Sequence, residues 1–425
     1  MNTRRPRPDY VLFVVVATLV TIGVVTVFSA SYPQAALEFE RKSAQQAARQ
    51  RDGGDAPVVA SPAQERQRTE KMLVSQRKYL LRQLLWSLVG AGVLFGTMLL
   101  PLDWLRRPRV VCWVMGLAYV FLVLAFVPGI GSANGREACR WVDLRVVKFQ
   151  PSETAKFALC LFLAYRLNRL STHLLNTAEE LARLAVWVVP MLLLVFIEPH
   201  LGGTLVISAT LLAVLLAAGL EWRYVLGGLG VAGCAAVLSI LHQPYQWLRI
   251  VAWLHPERYA TDIGYHAVHC GTALARGGWA GRGLGRGIEK FFYLPECHTD
   301  SIVAVLGEEQ GFLGCLTVLV LFLILSRRGL LIARHAPDRF AALLATGLTS
   351  AIFIQAIFNF GVTSGLLPQT GVGMPFLSYG GSSLCCFLAE VGVLLNISCH
   401  THHGHKLVPG WSPTGPERRV LAQEV

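Results

Sequence analysis

Residues 10–28 read YVLFVVVATLVTIGVVTVF, nineteen positions without one charged side chain. Folded as a helix rising about 1.5 Å per residue, this run crosses nearly all of the ~30 Å hydrocarbon layer of a bilayer. Comparable apolar stretches follow at 84–100, 110–127, 201–220 and 302–325. The whole chain agrees with them: it is 53% hydrophobic and 15% charged, with a mean hydropathy of +0.49, where soluble domains carry about 25% charged residues. Lipid penalises charge and tolerates apolar surface on every side of a helix. The expected fold is therefore an all-α polytopic membrane protein of about ten transmembrane helices, at 10–30, 80–100, 109–127, 153–169, 181–198, 200–219, 222–241, 302–326, 339–360 and 380–399.

The first run follows Arg4, Arg5 and Arg7 and ends in Ser29-Ala30-Ser31, as a signal peptide with a small-residue cleavage site would. A signal core is only about 7–15 residues long, so we read residues 10–30 as an uncleaved first helix. The net charge of +12 is not a nucleic-acid signal, because the basic residues flank helices, where they set orientation and meet anionic lipid. The short joints on one side hold Arg106, Arg107, Arg166, Arg169, Arg223, Arg327, Arg328 and Arg334, while those at 198–203 and 361–379 hold no Lys or Arg. The positive-inside rule then places both termini in the cytoplasm. Residues 1–9 form a cytoplasmic N-terminus, 10–399 a ten-span membrane domain and 400–425 a cytoplasmic His-containing tail.

Three outer segments result. Residues 33–79, rich in Gln, Ala and Arg, read as a mostly disordered spacer, with a partner-docking arm as the alternative. The two large loops at 128–152 and 242–301 mix Gly, Trp, Arg and acids in a way that neither a spacer nor a spanning helix needs. Around Arg249, the run Tyr245-Gln246-Trp247-Leu248-Arg249 suits a segment in the headgroup layer, as an anchor or as a headgroup contact. Residues 271–287 carry seven glycines with Arg276, Arg282 and Arg286, followed by Lys290. Glycines let backbone N–H groups approach an anion, and arginines fork onto phosphate oxygens. No Gly-Lys-Ser/Thr follows, so this is not a Walker loop.

Asp300 closes the run from Tyr293 through His298 and Thr299 and sits where the chain re-enters the membrane. A carboxylate there is costly unless it is paired or used, and a buried one makes a better general base. The bland reading is a cap on the following helix. On a continuous helix Glu308 would lie about 80° around from Asp300 and Glu309 about 180°, which favours Glu308 as the partner in one cavity. The second large loop offers Arg136, Arg140, Arg145 and Lys148, then Gln150-Pro151-Ser152-Glu153 and Lys156, with Glu153 and Lys156 spaced to pair on one helix face. Ser378 and Tyr379 belong to an uncharged outer turn entering the last span. Cys139, Cys270 and Cys297 fall on the oxidising side, either as three thiols or with one pair tying the two loops together.

Taken as a set, these residues resemble the shape, elongation, division and sporulation family of membrane glycosyltransferases. The likeness runs from about Asp9 to Asn396. It rests on Phe28–Ser31, Arg140-Trp141 with Gln150–Glu153 and Lys156, Glu198–Gly202, Tyr293–Asp300 with Gly307-Glu308-Glu309, and Pro375–Ser383. The resemblance implies a peptidoglycan glycosyltransferase that joins lipid II disaccharides into glycan strands beside a class B penicillin-binding protein. It implies further contacts with membrane lipid and other division or elongation proteins, and none with nucleic acid. Asp300 takes the position of the family's essential acid. Arg140, Gln150, Ser152, Glu153, Lys156, Arg249, Lys290, His298, Thr299, Glu308, Ser378 and Tyr379 are the expected substrate contacts, with the basic ones facing the departing pyrophosphate. A divalent cation, Mg or Mn, is a further candidate for that neutralising work, although the sequence shows no metal cage.

The match leans to the division branch through Asn134-Gly135-Arg136 and Tyr293–Glu296, and back to the elongation branch through Gly373–Phe376. The chain departs from the family at His200, where Asp is usual, and at Ser301, where an aromatic is usual. It departs also in the long first outer loop, in Glu390 and in the Cys399, His400, His402, His403 and His405 cluster, which reads as a solvated tail or a metal site. The rival class is a transporter of lipid-linked precursors, whose path Gln355, Asn359 and Glu390 would line. A scaffold without activity is a third reading, against which the intact Asp300 motif argues.

Overall fold

The computed structural model describes residues 8–31, 62–127, 131–132, 141–143, 148–198, 201–230, 233, 244–291, 294 and 297–401, without the side chains of 62–76, 131–132, 141, 143, 148 and 244–246. The long helices are α1 (Tyr10–Ala30), α2 (Pro62–Met98), α3 (Pro108–Leu124), α4 (Pro151–Leu167), α5 (Ala178–Ile197) and α6 (Leu201–Ala218). After them come α7 (Pro244–Leu254), α8 (Tyr265–Gly277), α9 (Ile302–Arg334), α10 (Arg339–Thr363) and α11 (Gly381–His400). Among the described residues seven helices are long and apolar enough to cross a membrane: α1, the 77–98 part of α2, α5, α6, α9, α10 and α11. The shorter α3 and α4, 17 residues each, occupy the third and fourth expected spans. The seventh expected span is helical over 222–230, and most of its remainder lies outside the described residues. The chain is a multi-pass helical membrane protein.

Two features depart from the expectation. Helix α2 begins at Pro62 and runs without a break into the second span, so the latter part of the expected spacer is helix; 33–61 lie outside the described residues. Gln, Ala, Arg, Glu and Lys are all strong helix formers, and a solvated helix has the same composition as a solvated coil. Second, the 128–152 loop carries a small antiparallel sheet of Gly131–Ser132, Trp141–Asp143 and Lys148–Phe149, with Val142 opposite both Gly131 and Phe149. The fold is thus all-α apart from this ribbon.

Helices α10 and α11 form the centre, with 78% and 72% of their apolar windows buried against 17–39% in the other candidate spans. Polar groups on these two helices therefore face protein and not lipid. At one end of the bundle Arg328 binds Asp9, Arg106 binds Asp338 and Arg166 binds Glu180. Asp9 and Asp338 also cap their helices, accepting from the amides of Leu12 and Ala341. All of these are residues of the expected cytoplasmic joints. Asp300, Gln150 and the 372–379 turn gather at the opposite end.

Candidate active site

Helix α9 starts at Ile302 with Ser301 as its N-cap residue, and Ser301 makes no side-chain cap bond. Asp300 therefore precedes the helix and does not cap it. The turn that carries it is held by three successive carbonyls. That of His298 accepts from the Tyr379 amide at 2.8 Å, that of Thr299 from the Ser378 hydroxyl at 2.6 Å, and that of Asp300 from Nδ2 of Asn359 at 3.0 Å. The single Ser378 proton is thus committed, and its oxygen also accepts from the Met374 amide at 2.7 Å. Three donors from 359–379 fix the backbone of three consecutive residues, which leaves the half-buried Asp300 side chain on a rigid base. Above the turn the rings of Tyr79, His298 and Tyr379 cluster, with centroids 5.5–6.4 Å apart.

A second polar group adjoins the first. Asn359 also donates to the carbonyl of Val372 at 2.7 Å, and Gln355, one turn earlier on α10, donates to that of Gly373 at 3.0 Å. Gln355 also accepts from Lys156, and Lys156 pairs with Glu153 at 2.7 Å on the same helix. The ammonium lies 5.0 Å from the Phe387 ring centroid. Gln150, Ser152, Glu153, Lys156, Gln355 and the 372–373 backbone line one cleft. Gln355 and Asn359, which the transporter reading would place along a path, are thus spent on fixing the turn and the cleft. The structure joins Asp300, Thr299, His298, Ser378 and Tyr379 to Gln150, Ser152, Glu153 and Lys156 through these two amides. Nothing in their sequence setting singles them out as positioning groups.

Three expected substrate contacts are engaged elsewhere. Lys290 is 2% exposed and donates to Glu309 at 2.6 Å, to Ser29 at 2.7 Å and to the Gly285 carbonyl at 3.0 Å; its charge is already neutralised by Glu309. Glu308, fully buried, accepts from the amides of Ile288 at 2.7 Å and Glu289 at 3.0 Å, so it faces the glycine loop and not Asp300. The helical-wheel argument fails because α9 does not extend back to Asp300. Ser378 binds the Thr299 carbonyl and thereby positions the turn.

The glycine loop also has a different use from the one expected. Helix α9 breaks at Gly311, with φ 69° and ψ −166°, a backbone region that suits glycine alone. The carbonyls of Glu308 and Glu309 take the amides of Arg282 and Gly283, while the amides of Phe312 and Leu313 go to the carbonyls of Gly278 and Trp279. Glycine is needed at Gly281, whose φ is 79° and where a Cβ would run into the Glu309 carbonyl. The amides of Ile288 and Glu289, just after this loop, hold the protein's own Glu308 carboxylate, and Arg282 and Arg286 are exposed.

Arg136, Arg140 and Arg145 lie outside the described residues, as does the side chain of Lys148. Arg249 lies half-buried on α7, whose Trp253 donates to the Gly365 carbonyl at 2.8 Å. The thiol of Cys270 sits 3.6 Å from Nδ1 of His266, and that of Cys297 donates to the Ala30 carbonyl at 3.3 Å, so these two do not bridge each other; Cys139 lies outside the described residues. So do His200 and residues 402–425 of the tail, while Nδ1 of His400 lies 2.9 Å from the Asn396 carbonyl at the end of α11.

Comparison with known proteins places this arrangement. The family model FTSW_RODA_SPOVE, described as cell cycle protein, matches residues 58–403. A protein named probable peptidoglycan glycosyltransferase FtsW from Trichlorobacter lovleyi is 36% identical over 404 residues, which cover 94% of each chain. Stage V sporulation protein E of Bacillus subtilis is 33% identical over 406 residues, covering 95% of this chain and all of that one. A chain from a peptidoglycan synthase complex, solved for its structural coordination of polymerization and crosslinking, superposes with a TM-score of 0.69 at 26% identity, covering 92% of this chain and 97% of that chain. RodA of Thermus thermophilus shares the fold, with a TM-score of 0.61 at 24% identity over 93% of this chain and 98% of that one. The chain belongs to the FtsW/RodA/SpoVE family.

Proposed function

We propose that this protein is a peptidoglycan glycosyltransferase of the division type, which polymerises lipid II with Asp300 as its general base. The observation that carries the assignment is the Asp300 turn, tied through three consecutive carbonyls to Asn359, Ser378 and the Tyr379 amide. In the proposed step the Asp300 carboxylate takes the proton of the acceptor sugar hydroxyl. The hydroxyl oxygen bonds to the anomeric carbon of the donor, and the bond from that carbon to undecaprenyl pyrophosphate breaks. Arg140 and Arg249 neutralise the leaving pyrophosphate, as positioned charge does at phosphate sites. A divalent cation, Mg or Mn, is a further candidate for that neutralising work. Glu153, Lys156, Gln150 and Ser152 line the neighbouring cleft, and Tyr379 and His298 flank the acceptor.

We further propose that the Asp300 end faces outward, because the arginine-rich joints gather at the other end, and that a class B penicillin-binding protein is the partner. The solved relative from a complex coordinating polymerization with crosslinking supports that partner. The test is lipid II turnover by the protein purified with its cognate transpeptidase, with a transbilayer lipid assay in parallel. Asp300→Asn preserves volume but has no useful basicity, so polymerisation should fall by at least ~10²-fold while insertion and partner binding persist. Asp300→Glu should keep a trace of activity, because a displacement near ~1 Å already matters. Normal polymerisation by Asp300→Asn would remove Asp300 from the chemistry. Lipid movement without polymerisation would favour the transporter.

A further inference from the structure

The carbonyls of 298, 299 and 300 are held from α10 and the 372–379 turn, which leaves the question of what fixes the chain on the other side of Asp300. Ser301 is fully buried. A serine at a helix N-cap ordinarily accepts a hydrogen bond from an amide of the first turn, yet this one makes no cap bond. Its hydroxyl instead lies 2.6 Å from Nε2 of His266, in the first turn of α8. Nδ1 of the same ring lies 3.6 Å from the Cys270 thiol, one turn on. Burial pushes that thiol up to about 12, so it stays protonated and neutral. Either neutral tautomer makes the bond: with its proton on Nδ1, shared with the sulfur, the ring accepts from the Ser301 hydroxyl at Nε2, and with its proton on Nε2 it donates to the Ser301 oxygen while Nδ1 accepts from the thiol.

Helix α8 is itself immobilised. His269 lies 2.7 Å from the buried Glu289 carboxylate, which Arg276 also binds. The Glu289 amide is one of the two that hold Glu308. At its far end Gly277 packs against the Gly307 carbonyl so closely that no Cβ fits between them. Helix α8 is thus anchored to α9 at 307–308 and reaches back to it at 301.

We propose that His266 is a positioning residue for Asp300, acting through its hydrogen bond to Ser301. With this bond each residue from 298 to 301 has its own tie, and Asp300 is braced from both sides. The bond supplies no proton to the reaction. Its effect is on the direction in which the Asp300 carboxylate points, which bears on the rate of the chemical step and not on how tightly lipid II is held. The inference rests on Asp300 being the base.

The experiment uses the full chain with its transpeptidase and measures kcat and KM for lipid II in Ser301→Ala, His266→Phe, the double variant and His266→Gln, beside Asp300→Asn. Ser301→Ala and His266→Phe should each lower kcat about five- to tenfold with KM within about twofold, since small displacements of a catalytic group cost rate. The double variant should be no slower than the slower single, because the bond that His266→Phe removes is already absent in Ser301→Ala. His266→Gln, which can still accept from Ser301, should recover at least half of the rate. Wild-type kcat in both single variants, multiplicative losses in the double, or a change confined to KM or to thermal stability would each overturn the proposal. If His266→Phe fails to assemble, Ser301→Ala decides alone, because it removes one oxygen that makes no cap bond. An active Asp300→Asn would sink the base assignment itself. An inactive Asp300→Asn beside wild-type Ser301→Ala and His266→Phe would sink this inference only.

Discussion

The two ends of the bundle use charge differently. At the Asp9 end at least one partner of each ion pair is open to solvent: Arg328 is 35% exposed against 6% for Asp9, Arg106 and Asp338 34% each, Arg183 and Glu179 55% and 75%. At the Asp300 end Lys290 and Glu309 are 2% and 1% exposed, and Lys156 and Glu153 3% and 6%. Exposed pairs gain little, because water and salt screen them and long side chains lose entropy in pairing. Buried pairs are costly to assemble and costlier to halve, since the survivor is a charge with no counterpart. The Asp9 end can therefore vary its charges with small effect. The Asp300 end is built so that each ion has one acceptable place, which suits a region that must hold a reacting group still.

Breaking one pair at each depth tests that contrast, with thermal or denaturant unfolding of the detergent-solubilised protein as the measure. Glu309→Ala should have the largest effect, about 3–5 kcal/mol, because it leaves the Lys290 ammonium buried without its partner. Adding Lys290→Met should recover much of the loss, and a double variant as unstable as the single would show that shape and not charge holds this site. Asp9→Asn comes next, at about 1 kcal/mol: asparagine still caps α1, so only the charge facing Arg328 is lost. Arg183→Ala should cost no more than about 0.5 kcal/mol. A reversed order, with Arg183 or Asp9 mattering more than Glu309, would end the distinction between the two ends.

The spans were legible because a bilayer imposes one simple demand, length with apolarity, that a sequence displays directly. The Glu153–Lys156 pair was legible too, since a spacing of three on a helix fixes it locally. Asp300 stands out only through its motif, as the bare sequence favours a helix cap. Lys290 and the glycine loop were misread for one reason. A basic, glycine-rich stretch has the same composition whether its amides meet a phosphate or a neighbouring helix, and only the approach of α9 decides. Asn359 and Gln355 went unrecognised as positioning groups because an amide within an apolar helix does not reveal which carbonyls will come to it. Ser301 registered only as an oddity, with its meaning in His266, 35 residues earlier.

Helix α9 passes through its break at Gly311 with four backbone bonds supplied by residues 278–283. In hydrocarbon no water can stand in for such bonds, so the break is tolerable only while those residues are docked against it. The order of synthesis serves this requirement: residues 278–283 leave the ribosome before α9 does, and the groups that complete the broken helix are already made when it inserts. Once closed, the two segments open as one cooperative unit. The amides of Arg282, Gly283, Phe312 and Leu313 then exchange their protons at a common rate, although some thirty residues of chain separate the two pairs.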